Sequence, residues 1–130
     1  MLKSKTYGHH MARKLAPSEY LEPAPSTAAR RSQVNVFGTP RARTWRVPKN
    51  GTAVGLRAAQ LQHDLAKQFR DAISASDEGN IAEFTRRYEA FTYDRLRGIL
   101  AGDVWMRLED VAELSHLLGL CALFSLEESD

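Results

Sequence analysis

The chain has 130 residues, a net charge of +2, 43% hydrophobic and 26% charged residues, which supports one packed core with an appendage and excludes two full domains. The charge is unevenly placed, with eleven Lys/Arg against two acids in residues 1–60 and seven against fourteen in residues 61–130. A single cysteine, Cys121, excludes an intrachain disulfide framework, and no stretch reaches the roughly 18–20 apolar residues of a membrane helix. With no apolar core of a secretory signal either, the expectation is a soluble protein of a reducing cytoplasm, with no membrane partner.

Residues 1–32 hold Pro17, Pro23 and Pro25 among Ala, Ser, Thr and Arg without a sustained period, so they read as a mobile, basic, proline-containing tail. In residues 33–50, a basic arm, Val34 and Val36 alternate with polar residues, residues 37–40 punctuate, and Thr44-Trp45-Arg46-Val47 is rich in strand formers. A short β-hairpin fits this pattern but is marginal alone and needs a body or ligand to pack on. A basic half beside an acidic half reads as a nucleic-acid arm on a folded body or, more simply, as a solvated tail.

Residues 51–130 carry helical periods throughout. Asn50-Gly51 marks a turn, and Thr52 caps a first helix whose stripe is Ala58, Leu61, Leu65, Phe69 and Ile73, ending near residues 76–79. Asn80 and Glu83 have capping-box spacing, which places Ile81, Phe84 and Tyr88 on one face of a short second helix. Thr92 caps a third helix with Leu96, Ile99 and Leu100 as its stripe, and Gly102 suits the left-handed residue that ends it. A fourth begins near Arg107 or Leu108 and presents Leu108, Val111, Ala112, Leu114, Leu117 and Leu118, with Glu109 and Asp110 where the helix dipole favours acids and Gly119 as its end. Leu120 to Leu126 is either a fifth short helix or a terminal extension. The fold class is therefore all-α, a bundle of about five short helices.

Little here resembles enzyme chemistry. His9, His10, His63, His116 and Cys121 have no zinc-ligand spacing among them, and no glycine-rich phosphate loop, nucleophile elbow or carboxylate pair stands out. No catalytic residue, metal, cofactor or small-molecule ligand is expected. Trp45 and Trp105 read as packing anchors, although Trp45 between Arg43 and Arg46 also suits base stacking.

The second and third helices, joined by a brief turn, form a helix-turn-helix signature. Phe84-Thr85-x-x-Tyr88, Phe91-Thr92, Leu96-x-x-Ile99-Leu100-x-Gly102, Leu108-Glu109-Asp110-Val111-Ala112 and Leu117-Leu118-Gly119 resemble the Cro and lambda-repressor type (XRE-type) DNA-binding domains, as found in phage repressors and actinobacterial regulators. The match spans residues 56–119, with a turn one residue longer than the family's and without its glycine, so that Glu89 or Ala90 stands where a left-handed residue is usual.

The resemblance implies a third helix, residues 92–101, that enters the major groove with Thr92, Tyr93, Asp94, Arg95 and Arg97 at base edges. Gly98 in the same helix would allow close approach to DNA. Arg86, Arg87 and Arg107 would meet phosphates, and Arg30, Arg31, Arg41, Arg43, Arg46 and Lys49 the backbone or minor groove. The implied function is a transcription regulator, a phage or bacterial repressor of the bacterial cytoplasm and nucleoid, with a double-stranded DNA operator as partner. Such proteins commonly form homodimers, for which Leu120, Leu123, Phe124 and Leu126 are the candidates, unless they simply close the monomer's core. The competing reading is a helical protein-interaction module whose tail binds nucleic acid nonspecifically.

Overall fold

The computed structural model describes residues 15–22, 36–40 and 44–119. Thr52 is extended (φ −137°, ψ 163°) and its hydroxyl accepts from the Gly55 N–H at 2.9 Å, which starts α1 (Ala53–Ala75). Asn80 does the same for α2 (Ile81–Arg87), accepting from Glu83 N–H at 2.8 Å, and Thr92 for α3 (Tyr93–Ala101), accepting from Arg95 N–H at 3.1 Å. Each satisfies one of the amide groups a helix start leaves without a partner. The last helix, α4 (Leu108–Leu118), is capped differently, since Asp110 reaches back to the Arg107 N–H at 2.8 Å. Gly102 (φ 78°) ends α3, left-handed as expected, and Gly119 ends α4 at the expected place, also left-handed (φ 68°).

The chain is helical, with these four helices and no strand among the described residues. α1 packs on α3 and α4, and α2 packs on α3. Their shared core holds Phe69, Ile73, Phe84, Phe91, Leu96, Ile99, Leu100, Val111 and Leu114. None of the described helices is long and apolar enough to cross a membrane. The fifth helix expected over residues 120–126 lies outside the described residues.

Two stripes differ from expectation. On α1, Leu61 is 50% exposed while Gln62 and His63 are buried. Gln62 is fully employed: Nε2 donates to the Ile99 and Val104 carbonyls at 2.9 and 3.0 Å, and Oε1 accepts from Met106 N–H at 2.7 Å. Once its polar atoms are satisfied, an amide can occupy a core position. On α4, Leu108 is 87% exposed because it sits at the first helical position, turned away from the stripe that begins at Val111.

The N-terminal segment also departs from a structureless tail. Pro17–Tyr20 forms a single 3-10 turn that packs on α1, with Pro17, Tyr20 and Leu21 buried. Ser18 N–H donates to the Gly102 carbonyl at 2.9 Å, and the Trp105 indole N–H donates to the Leu15 carbonyl at 2.7 Å. Of the expected hairpin, residues 34, 35 and 41–43 lie outside the described residues, and Trp45 pairs in an antiparallel bridge with Leu21.

Residues 36–40 are not an appendage. Phe37 is 1% exposed and lies over Gly102, where a Cβ would fall 2.7 Å from the ring. Gly38 (φ 75°) approaches so closely that a Cβ would meet the Leu100 carbonyl oxygen at 2.6 Å. Its N–H donates to His63 Nδ1 at 2.9 Å, and the His63 ring meets Phe37 and Trp45 edge-on at 5.5 and 5.3 Å. Phe37 and Leu21 therefore belong to the same core as the helices.

Candidate nucleic-acid interface

The outward side of α3 carries Tyr93, Asp94 and Arg97, all exposed. Positions 93 and 97, and 94 and 97, are neighbours on a helix surface, so the three make one patch. Thr92 is exposed at the start of that patch and is committed to capping. Arg97 has one ionic neighbour, Asp103 at 3.6 Å; both side chains are about half exposed, and such a pair holds the guanidinium loosely.

Arg95 is placed differently. Its Nη2 donates to Asp110 Oδ2 at 2.7 Å, and Asp110 is buried. The same carboxylate oxygen takes the Arg107 N–H and lies 3.7 Å from Arg107 Nε. Arg95, Arg107 and Asp110 thus clamp the N-terminal half of α3 to the start of α4. This geometry assigns Arg95 to positioning α3, where the sequence offered it as a base reader.

Gly98 faces inward. It is buried, and a Cβ there would lie 3.7 Å from Val104 Cγ2, an ordinary contact with the chain's own following loop. Close approach to a ligand is not what this glycine provides. In the turn before α3, Tyr88 closes α2 in extended backbone and Phe91 is buried. Asn50 is the only non-glycine with positive φ among the described residues, so Glu89 and Ala90 are not left-handed.

Of the other cations, Arg86 pairs with Glu83 within α2, and Arg87 lies 3.6 Å from Glu78 and stacks on Tyr88 at 5.3 Å. Both guanidinium groups remain mostly exposed. Arg46 donates its backbone N–H to the Tyr20 carbonyl at 2.8 Å, and Tyr20 lies against Gly55 near the start of α1. Tyr93 instead shares a cavity with Arg70, fifteen residues further along α1 than Gly55. Trp45, next to Arg46 in the chain, also meets the His63 ring at 5.3 Å, midway along α1. Arg30, Arg31, Arg41 and Arg43 lie outside the described residues, as do Leu120, Leu123, Phe124 and Leu126.

Sequence reading missed Arg70, Gln62 and the Asp110 clamp. Asp110 had a signal, its three-residue spacing from Arg107. Arg70 had none, since a lone arginine on a helix flank reads as solvated surface. Among the described residues no group of three or more His, Cys, Asp or Glu is placed to hold a metal ion. Comparison with protein-family models, with curated proteins and with solved structures yields no match.

Proposed function

We propose that this chain is a sequence-specific double-stranded DNA-binding regulator of the Cro and lambda-repressor type, with α2 and α3 as its helix-turn-helix. The observation that carries the reading is the outward patch Tyr93, Asp94 and Arg97 on a short helix held at both ends. Thr92 and the Arg95–Asp110 clamp hold one end, and Gln62 and Gly102 hold the other. A reading helix must present unburied donors and acceptors from a rigid frame. Arg97 can take guanine through two hydrogen bonds, Asp94 can accept from cytosine, and Tyr93 can meet a phosphate or a base edge.

Arg86, Arg87 and Arg107 are the phosphate contacts of this proposal. The basic residues before α1 track the backbone or minor groove. Pairing through Leu120, Leu123, Phe124 and Leu126 would place two such helices on two half-sites, and sedimentation of the full chain tests it. Selection from a randomised duplex library tests the function itself. An enriched motif is expected; flat enrichment would favour a protein-interaction module built on the same helices.

A further inference from the structure

Arg70 is a cation that the described contacts leave unexplained. It lies on α1, half-buried, and among the described residues it makes no ion pair. Its Nε is fully buried without a hydrogen-bond partner, wedged so near residue 38 that a Cβ there would lie 3.2 Å away. Burial pushes the guanidinium down from its ordinary range, yet an arginine stays charged at any physiological pH. A half-buried guanidinium with no protein partner keeps its donors available to a group from outside the chain.

Space for such a group adjoins it. A cavity of about 350 Å³ is lined by the polar Arg70, Ser74, Asn80 and Tyr93 together with Ile73, Gly79, Ile81 and Ala82. Around it are an amide, a hydroxyl and a phenol that can donate, and it has no carboxylate in its lining. The Asn80 Oδ1 already accepts from Glu83 N–H, which leaves its NH₂ as the free end. Donors around a guanidinium fork, without an acid, suit a tetrahedral oxyanion.

We propose that Arg70, Asn80 and Tyr93 form a phosphate-binding site, and that its occupant is a backbone phosphate of the duplex read by α3. The source of the phosphate rests on the DNA-binding reading; the oxyanion chemistry does not. Because Tyr93 borders both the cavity and the outward patch of α3, a phosphate held there would set how far α3 enters the groove.

Thermal unfolding of the full chain and of Arg70→Met, in inorganic phosphate and in chloride of equal ionic strength, tests the site. Phosphate should raise the midpoint of the wild type more than that of Arg70→Met. Without phosphate the variant should be as stable as the wild type or more so, because a half-buried charge has gone. Arg70→Gln repeats the comparison if the Met variant does not fold. On selected and random duplexes alike, Arg70→Met should lower affinity by the same factor, about tenfold for one charge-assisted contact. It should also flatten the dependence of log affinity on log salt by about one.

Equal phosphate effects in wild type and variant would overturn the site, as would a large loss of stability in phosphate-free buffer for both Arg70→Met and Arg70→Gln. If phosphate discriminates wild type from variant but no duplex is bound, the site stands and the DNA reading falls. If duplexes are bound with no change on substitution, the backbone source is wrong.

Discussion

Two arginines two residues apart on α3 do different work. Arg95 completes the buried Asp110, so Arg95→Ala leaves that carboxylate with Arg107 alone and should cost about 1–3 kcal/mol of stability. DNA affinity should then fall for every sequence, because α3 loses its anchor. Arg97 is held only by an exposed pair, so Arg97→Ala should leave stability within about 0.5 kcal/mol. Urea unfolding of both variants checks the split, and equal destabilisation would contradict it.

His63 makes stability depend on pH. Its Nδ1 accepts from Gly38, which requires the ring to be neutral at that nitrogen. Burial lowers its pKa, Asp64 pulls it back up and Lys67 lowers it again. In the unfolded chain the ring titrates near the ordinary histidine value of 6.5, so below that pH the unfolded state binds the extra proton. Stability is whole above about 6.5 and falls as the pH drops from there to the lower folded value. Urea midpoints of the wild type should decline across this window more than those of His63→Gln; parallel declines would remove His63 as the cause.

At the scale of elements, the helix starts and stops were legible because they are local chemistry. Thr52, Asn80, Thr92, Gly102 and Gly119 each act within a few residues of themselves. Periodicity was less reliable at the edges of a stripe. Gln62 and His63 are buried beside an exposed Leu61 because backbone groups of distant segments satisfy them, and hydropathy cannot register such partners. Gly98 was read by its freedom, but it packs inside with room for a methyl. Gly98→Ala should therefore stabilise α3 by up to about 1 kcal/mol without loss of DNA binding. Calorimetry paired with a duplex titration would show this, and a destabilised variant would mean that the contact with Val104 is tighter than described.

Across the whole molecule, what the sequence concealed is the docking of segments before α1. Residues 15–22 and 36–40 have no period, and what places them is a set of non-local fits: Phe37 over Gly102, Gly38 against Leu100, Ser18 on the Gly102 carbonyl. Removing residues 1–49 would strip Phe37, Tyr20 and Leu21 from the core. It should lower the melting point substantially, since Phe37→Ala alone should cost about 3–5 kcal/mol. A truncated chain that melts like the full one would show that the helices carry the core unaided. The candidate interface divides the same way. Its patch on α3 was readable from helical position, whereas the commitment of Arg95 to Asp110 and the isolation of Arg70 arise from tertiary contacts.

In the proposed function, the outward patch of α3 is what tells one duplex from another. Equilibrium titration of the full chain and of Arg97→Ala with the selected duplex and a scrambled one, at one fixed salt concentration, decides this. The substitution is expected to weaken the selected duplex by about 1–3 kcal/mol and the scrambled one hardly at all. Equal weakening of both would make Arg97 a phosphate contact, and no preference by the wild type for the selected duplex would contradict the account at its centre.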